Sequence, residues 1–262
     1  MRLFAPIKEI SPIAWVGGKW YSTKRITGFI PEDISDIVSP FAGGLKVELR
    51  LAASRGVGIH CGDKHSELCN FYNCARDDHS TVLDYASAMH PFVDYDNWAR
   101  FRDADIHDKY VRAAKFFILN RLSFGGDSHS SGAGCIAGNR PRLIRLIAKI
   151  RKHPELLQYI VTCHNQDWSD TLDRHPHIFA YLDPPWPGCK KGQYDHVMDY
   201  AQHDRLYQAL RRRNSRWALS YPGNAEIRHR YSDFRVIDIP VKYPLKGQGT
   251  HDLTTDVLIL NY

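Results

Sequence analysis

The stretch of sequence that decides the fold is residues 37–63, IVSPFAGGLKVELRLAASRGVGIHCGD. It opens with a short apolar run at 37–41, which is typical of a buried strand. A glycine pair at 43–44 follows, and apolar residues then repeat at helical spacing over 45–54. A second apolar run at 57–61 predicts another strand, which ends at an aspartate. The order of strand, glycine-rich turn, helix, strand and acidic residue is half of a nucleotide-binding βαβ unit.

The rest of the chain repeats this α/β pattern on both sides of a segment with a different texture. Further strands are predicted at 160–162, 178–182, 217–220, 236–241 and 256–261, with a helix around 203–213. From about residue 76 to 164 the pattern is mainly helical, with helices predicted at 110–122 and 141–152. Between these two helices, residues 123–138 are rich in Gly and Ser and are predicted to form a loop or an irregular hairpin. The sequence therefore predicts an α/β fold interrupted by a mainly helical segment.

Composition excludes several classes of protein. Hydrophobic residues make up 43% of the 262 residues and charged residues 24%, which is ordinary for a globular chain and excludes wholesale disorder. There is no run of about 18 apolar residues, so no membrane span is expected. Lys8 and Glu9 interrupt the place of a signal-peptide core, so we expect a cytoplasmic protein. The net charge of +6 permits a polyanionic partner without identifying one.

Two familiar ligand motifs are matched only superficially. The six cysteines include no CxxC pair, and the spacing of cysteines and histidines between His60 and His79 fits no common zinc module. Gly17-Gly18-Lys19 looks like part of a phosphate-binding loop, but Ile13 and Trp20 stand where that loop needs glycine and serine or threonine. We therefore expect free thiols, no bound metal and no NTPase activity.

The sequence Asp183-Pro184-Pro185-Trp186 directly follows the strand predicted at 178–182. A double proline cannot continue a strand ladder or a helix interior. The chain must therefore leave the sheet at the carboxyl end of this strand, where open α/β sheets bind ligands. A flat group bearing an amino group could stack on Trp186 while donating hydrogen bonds to Asp183 and to the Pro184 carbonyl. The alternative is a structural turn with a buried tryptophan.

Asp63, at the end of the second predicted strand, has two interpretations. Its carboxylate has the chemistry to accept hydrogen bonds from both hydroxyls of a ribose. It is equally compatible with an aspartate that caps a helix or closes a turn. The G-x-G-x-x-G fingerprint is absent after the first strand, which counts against a dinucleotide ligand.

Together these motifs resemble the Dam-type family of DNA adenine-N6 methyltransferases, in its phage and bacterial form. The matched segments are Trp15-Val16-Gly17-Gly18-Lys19, Pro40-Phe41-Ala42-Gly43-Gly44, Asp63, Asn120-Arg121, Asp183-Pro184-Pro185-Trp186 and the tail 256–262. They follow the order of the family's motifs from residue 15 to the C-terminus. The segment between about 76 and 164 matches only loosely, as a target-recognition insert does.

The resemblance implies a fold, a reaction and partners. The fold is a Rossmann-like S-adenosylmethionine-dependent methyltransferase sheet, with a catalytic domain of residues 1–75 and 165–262 and a mainly helical target-recognition insert of residues 76–164. The methyl donor is S-adenosylmethionine, which leaves as S-adenosylhomocysteine, and no metal is required. The acceptor is the N6 amine of an adenine flipped out of double-stranded DNA. The oligomeric state is left open between a monomer and a weak dimer.

The resemblance also implies roles for individual residues. The catalytic set is Asp183, Pro184, Pro185 and Trp186. The donor-binding set is Trp15, Lys19, Pro40, Phe41, Gly43, Asp63, Asp167 and Asp183. The DNA-binding set is Arg121, Arg140, Arg142 and Arg145. Three of these arginines lie in residues 139–153, which contain no acidic residue; by itself this run is more typical of a solvated helix face than of a DNA-binding one.

Two departures from the family pattern keep alternatives open. Leu45 stands where the family usually has glycine, and it could weaken donor binding or only shift the turn. Trp186 replaces the more common tyrosine or phenylalanine, and Asp-Pro-Pro-Trp also occurs in RNA adenine methyltransferases. The alternatives are an RNA adenine-N6 methyltransferase, a non-catalytic DNA-binding relative and a metal-dependent nucleic-acid enzyme. No cluster of carboxylates with ligand spacing favours the last of these.

Overall fold

The computed structural model describes residues 11–15, 17, 19, 22–123, 126, 135–186, 197–242 and 253–262. The strands in these residues are β1 Asp36–Ser39, β2 Gly58–Asp63, β3 Ile160–Asn165, β4 Phe179–Leu182, β5 Trp217–Pro222, β6 Arg235–Lys242 and β7 Leu253–Leu260. They form one sheet in the order β3-β2-β1-β4-β5-β7-β6. The first five strands pair in parallel with one another, and β7 is antiparallel to both β5 and β6. This mixed α/β architecture is consistent with an S-adenosylmethionine-dependent methyltransferase.

The direction in which successive strands are added to the sheet reverses between β1 and β4. From β1 the chain continues outward through β2, whereas from β4 it continues outward through β5 on the other side. Both central strands are buried on both faces, which is why they read as continuous apolar runs and not as alternating ones. A crevice forms at such a switch point, outside the carboxyl ends of the strands. The fold thus places the segments after β1 and β4 side by side.

Helices cover the sheet and extend beyond it. They are α1 Thr23–Phe29, α2 Lys46–Arg55, α3 Ser66–Met89, α4 Trp98–Asp103, α5 Lys109–Leu122, α6 Ile136–Lys152, α7 Glu155–Gln158, α8 Trp168–Arg174, α9 Tyr200–Arg212 and α10 Ala225–Arg230. The helices and strands predicted from the sequence are all present, most with ends shifted by a few residues. Beyond the elements predicted above, the structure contains the long helix α3 and the short helices α1, α4, α7, α8 and α10.

The helix predicted from Pro141 begins earlier, at Ile136. Ile136 is buried and lies two turns before Leu143, so it extends the apolar stripe of the helix toward its amino end. The loop predicted at 123–138 therefore ends before Ile136, where the helix begins. Residues 124, 125 and 127–134 of that loop lie outside the described residues.

α3 bends at Asp78, whose backbone is non-helical at φ −152° and ψ 80°. The Asp78 carboxylate accepts hydrogen bonds from the backbone and the hydroxyl of Thr81, so it caps the second part of the helix. Before the bend, Asn73 and Arg76 donate to backbone carbonyls of β3. The boundary predicted at residue 76 therefore falls within a helix that packs on the sheet.

β3 belongs to the central sheet, although the sequence analysis placed most of it in the insert. It pairs in parallel with β2, with Ile160 beside Ile59 and Asn165 beside Asp63. Buried residues of α5 and α6 also share one apolar core with those of α2 and β2. The described residues thus show a common core on this side of the sheet, and the division into domains at 76 and 164 stays a prediction. None of the described helices is both long and apolar enough to span a membrane.

Candidate active site

A cleft of about 1020 Å³ opens at the carboxyl ends of β1, β2 and β4. Its lining comes from the turn after β1, the first turn of α2, the residues after β2, the start of α8 and the segment after β4. The sequence-predicted residues in this lining are Trp15, Lys19, Pro40, Phe41, Gly43, Asp63, Asp183, Pro184, Pro185 and Trp186. The fold thus brings together side chains from both ends of the chain.

Lys19 and Asp183 form an ion pair in the cleft. The Lys19 Nζ donates to Asp183 Oδ1 at 2.6 Å and to the Gly17 carbonyl at 3.3 Å. The lysine side chain is 4% exposed and the aspartate side chain 22%. The same ammonium lies 5.5 Å from the centroid of the Trp186 ring. Lys19, predicted to bind the donor, is therefore also a direct partner of the predicted catalytic carboxylate.

Burial raises the pKa of the Asp183 carboxyl above its ordinary value, and the charge and hydrogen bond of Lys19 oppose that rise. A buried carboxylate without a cation would be costly to ionise. Lys19 therefore favours the charged form of Asp183, in which both oxygens can accept hydrogen bonds. Its ammonium occupies Oδ1, and this fixes the orientation of the carboxylate.

Asp63 holds the glycine turn that follows β1. Its Oδ2 accepts the Gly43 N–H at 3.0 Å, and its Oδ1 accepts the His65 N–H at 3.0 Å. The buried Tyr72 donates its hydroxyl to the Gly43 carbonyl at 2.8 Å. Asp63 is thus a turn aspartate, as one of its two interpretations required. A carboxylate oxygen can accept more than one hydrogen bond, so its place in the cleft lining is also compatible with a ligand.

The glycine turn makes room for a tryptophan. A Cβ atom at Gly43 would lie 2.9 Å from Trp15 Cδ1, and one at Gly44 would lie 3.3 Å from the Ile13 carbonyl oxygen. The structure places residues 11–15 against these glycines, and the Trp15 indole lies edge-on to His65 with ring centroids 5.9 Å apart. Trp15 is therefore part of the wall beside the turn.

Leu45 keeps the backbone shape that a glycine favours. Its φ of 46° and ψ of 34° are left-handed, and it is the one non-glycine with positive φ among the described residues. This conformation costs an L-residue roughly 1–3 kcal/mol. The Leu45 side chain is fully buried in the apolar core. The departure from the family pattern therefore preserves the turn and adds a core contact.

The lining also contains residues that the sequence analysis did not predict, among them Glu48, Gln166 and Trp168. Glu48 lies in the first turn of α2, where the Ser39 hydroxyl donates to its carboxyl group at 2.6 Å. Burial raises the pKa of Glu48 to about 7. A signal for Glu48 was available, because an acidic residue on the apolar stripe of a helix is unusual.

Trp168 and Gln166 stand on either side of a residue that was predicted to bind the donor. The Trp168 indole is 4% exposed, and its N–H has no hydrogen-bond partner in the described part of the chain. Asp167 itself is absent from the cleft lining. It caps α8 through the Ser169 N–H at 3.1 Å and pairs with Lys64 at 2.8 Å. Asp167 therefore lies beside the cleft lining, paired with a residue that belongs to it, and its assignment to the donor stays a prediction.

The four arginines predicted to contact DNA lie on α5 and α6 and do not line the cleft. Arg142 and Arg145 are exposed on α6. Arg140 donates to two backbone carbonyls of the turn at 91–93, so it also joins α6 to the end of α3. Arg121 is half-buried in the last turn of α5. Of these side chains, Arg142 and Arg145 are the best placed for phosphate contacts.

Among the described residues, no group of three or more His, Cys, Asp or Glu is arranged to hold a metal ion. Cys61 and Cys69, from the segment that invited a zinc interpretation, are buried and donate to backbone carbonyls. Burial raises the pKa of the Cys61 thiol, which keeps it protonated near neutral pH. These thiols therefore behave as core residues.

A carboxylate, a backbone carbonyl and an indole from the segment after β4 meet in the cleft, an arrangement that can accept hydrogen bonds from an exocyclic amine and stack on its ring. The family model of the D12 class N6 adenine-specific DNA methyltransferases matches residues 15–244. The chain therefore belongs to this family. The family implies S-adenosylmethionine as methyl donor and a DNA substrate.

Two relatives are similar to the chain over different lengths. The DNA N-6-adenine-methyltransferase of Escherichia phage P1 is 28% identical over 132 residues, which are 48% of this chain and 17% of that protein. The type II methyltransferase M.CviBI of Paramecium bursaria Chlorella virus NC1A is 22% identical over 270 residues, which cover 95% of this chain and 98% of that protein. The chain thus spans under a fifth of the phage relative and nearly all of the viral one. The phage and restriction–modification settings expected of such an enzyme fit these relatives.

Proposed function

We propose that the chain transfers the methyl group of S-adenosylmethionine to N6 of an adenine in duplex DNA, and that the cleft at the ends of β1 and β4 is where donor and base meet. The observation that carries the proposal is the buried Lys19–Asp183 pair beside Trp186. It holds a carboxylate in a fixed orientation next to a backbone carbonyl and an aromatic ring. When bound, the donor supplies a methyl group made electrophilic by its sulfonium sulfur.

Asp183 and Pro184 act on the acceptor amine. The N6 amine of adenine is a poor nucleophile because its lone pair is delocalised into the ring. The Asp183 carboxylate and the Pro184 carbonyl accept hydrogen bonds from its two N–H groups. These two hydrogen bonds favour a pyramidal nitrogen. Since Lys19 occupies Oδ1, the amine donates to Oδ2 of Asp183. Preorganised positioning of this kind contributes several kcal/mol to catalysis.

Trp186 receives the base. An adenine inside a duplex cannot enter the cleft, so it is flipped out at a cost of roughly a few kcal/mol. Stacking on an aromatic side chain returns part of that cost.

The donor fits the remaining part of the cleft. The lining continues from Asp183 and Trp186 along the glycine turn to Asp63 and Trp168, and the donor is proposed to lie along this part of the cleft, beside the base. Trp168 lines this cleft, and its buried indole N–H has no acceptor among the described residues. Asp63 binds the ribose hydroxyls while its other lone pairs hold the turn.

The alternatives are disfavoured by particular observations. The hypothesis of a non-catalytic relative depended on Leu45, but Leu45 retains the left-handed backbone conformation of the turn. The hypothesis of an RNA methyltransferase depended on Trp186 alone, whereas the match to the DNA methyltransferase family extends over residues 15–244. Duplex DNA is therefore the proposed partner, contacted by the loop after α5 and by the basic face of α6.

Replacing Asp183 by Ala tests this assignment. The variant loses the acceptor for the reacting amine, so we expect methyl transfer to fall by roughly a thousandfold, in line with the loss of one preorganised electrostatic contact. Duplex binding should change little, because the phosphate contacts lie elsewhere. Both quantities are measured on the purified protein, by transfer of labelled methyl groups and by titration of a labelled duplex.

A matched control comes from Asp33→Ala. Asp33 lies before β1, at the amino ends of the parallel strands, whereas the cleft lies at their carboxyl ends. Its exposed carboxylate pairs with Arg216 at 2.9 Å. We expect this variant to methylate at the wild-type rate. Undiminished transfer by Asp183→Ala would contradict the proposed mechanism.

A further inference from the structure

Asn120 joins three segments of the chain through one side-chain amide. Its Oδ1 accepts the Ala14 N–H at 2.9 Å, and its Nδ2 donates to the Ala14 carbonyl at 2.8 Å and to the Gly126 carbonyl at 2.8 Å. The side chain is 1% exposed. Both N–H groups of the amide are therefore engaged, and all three bonds go to backbone. The contact to Ala14 spans 106 positions of sequence.

One of these segments is a wall of the donor site. Ala14 precedes Trp15, whose indole lies against the glycine turn that Asp63 holds. A side chain at Gly43 would collide with Trp15, so the position of residues 11–15 and the shape of the turn depend on each other. Asn120 fixes the backbone immediately before that tryptophan.

The other segment leads from α5 toward α6. Gly126 lies in the loop predicted at 123–138, and a Cβ atom there would overlap the Ala14 carbonyl oxygen. Gly126 therefore packs directly against the backbone that carries Trp15. A displacement of either segment changes the hydrogen bonds of Asn120.

We propose that Asn120 is a positioning residue that couples methyl-donor binding to DNA recognition, because it holds the donor-site wall and the start of the recognition loop with one amide. This rests on the proposed function, in which the loop after α5 contacts DNA. Donor binding stabilises residues 11–15, which stabilises the loop, and cognate duplex acts in the reverse direction. Coupling between two binding sites is reciprocal, so each ligand strengthens the other by the same factor.

Asn139 provides a matched control on the same loop. Its Nδ2 donates to the carbonyls of Leu122 at 3.2 Å and Ser123 at 3.0 Å, where α5 ends. It therefore anchors α6 to the beginning of the loop but has no described contact with residues 11–15. Its replacement disturbs the loop without touching the donor-site wall.

The test measures the affinity of S-adenosylhomocysteine by calorimetry, with and without a duplex that the wild-type protein methylates. We expect the duplex to strengthen binding by at least about fivefold in the wild type, the lower end of usual coupling. In Asn120→Ala and Gly126→Ala the factor falls to about one. In Asn139→Ala the factor stays at the wild-type value while duplex affinity falls. In steady-state assays of Asn120→Ala, the donor KM rises by a larger factor than kcat falls.

The outcomes separate this inference from the proposed function. A wild-type protein that binds neither ligand and methylates no duplex contradicts the proposed function. A wild type that methylates but shows no coupling, or an Asn120→Ala variant that keeps it, overturns the inference alone. Loss of coupling in Asn139→Ala as well also overturns it, because any loosening of the loop would then suffice. If Asn120→Ala does not fold, as judged by its thermal transition, Gly126→Ala decides the question from the other side of the contact.

Discussion

Glu48 is a carboxyl group inside the wall of the cleft, and it makes the stability of the protein depend on pH. It is 3% exposed, and burial raises its pKa from 4.5 to about 7. The folded protein therefore binds this proton more tightly than the unfolded chain does. The stabilising contribution of the neutral form is fully present below pH 4.5 and is lost as the pH rises through about 7.

Replacing Glu48 by Gln removes this loss. The amide cannot ionise, and its oxygen still accepts the hydrogen bond from the Ser39 hydroxyl. We expect the free energy of unfolding of Glu48→Gln, relative to that of the wild type, to rise by about 2–3 kcal/mol between pH 5 and pH 8. Urea titrations of both proteins at several pH values measure it. A difference that does not change with pH would contradict the assignment. In Ser39→Ala, the pH at which the free energy of unfolding declines should be higher than in the wild type, because the serine hydroxyl lowers the pKa of Glu48.

Asp63 is expected to contribute to donor affinity more than Asp167 does. Asp63→Ala removes a carboxylate that lines the cleft and also releases the Gly43 N–H. Loss of a charged hydrogen-bond partner costs about 1.5–3 kcal/mol, so we expect donor affinity to fall by about 10-fold or more. Asp167→Ala removes a helix cap outside the lining and should have a smaller effect. Calorimetry with S-adenosylhomocysteine compares the two, and the reverse order would move the ribose site to Asp167.

At single positions, the sequence could predict residues that belong to a motif but not their partners. Asp183 and Lys19 were both identified from motifs, yet their pairing joins positions 164 residues apart and follows only from the fold. Glu48 and Trp168 belong to no motif that was recognised, and they enter the cleft because α2 and α8 begin at the carboxyl ends of the strands. Asp167 was assigned to the donor by family resemblance; in the structure it caps α8, and its role at the donor stays a prediction.

At the scale of an element, α6 carries a basic face that the proposed function assigns to DNA. Arg142 and Arg145 are exposed, whereas Leu143, Leu146 and Ile150 are buried on the other side. Each phosphate contact made by an arginine releases a counterion. We expect Arg142→Ala plus Arg145→Ala to weaken binding to cognate and unrelated duplexes alike and to reduce the salt slope by about two units. The methylated sequence should stay the same.

A charge-matched control distinguishes contact from net charge. Arg211 and Arg212 are exposed in the last turn of α9, in the catalytic part of the chain. Their double replacement by Ala removes the same charge and should leave the salt slope close to that of the wild type. Binding curves at several salt concentrations give both slopes. An unchanged slope in the α6 variant would show that this face is only solvated and that DNA lies elsewhere.

Helices could be predicted from the sequence where their apolar residues repeat with a clear helical period. Their ends and bends were less predictable where a tertiary or capping contact determines them. α2, α5 and α9 have unbroken apolar stripes, and their predicted ranges are close to the observed ones. The start of α6 was placed too late because Pro141 is typical of a first turn, but its buried Ile136 continues the helix backward. The bend of α3 at Asp78 depends on its cap on Thr81 and left no sign in the apolar pattern.

At the scale of the whole molecule, strand order decides which motifs meet. β1 and β4 are neighbours although more than a hundred residues separate them, and the sequence alone gives no pairing. β3 was assigned to the insert because it follows a helical segment, but it completes one edge of the sheet beside β2. The Asp-Pro-Pro-Trp sequence was informative without the structure because a double proline after an apolar strand forces the chain to leave the sheet at that point.

The most direct test of the central claim is the identity of the methylated nucleoside. Purified protein is incubated with S-adenosylmethionine labelled in its methyl group and with either duplex DNA or RNA of matched sequence, and the products are digested and separated by liquid chromatography and mass spectrometry. We expect the label in N6-methyldeoxyadenosine from the duplex, and its disappearance in Asp183→Ala. Label in a methylated cytosine, label from RNA alone, or no transfer to a duplex that contains every short sequence would contradict the account.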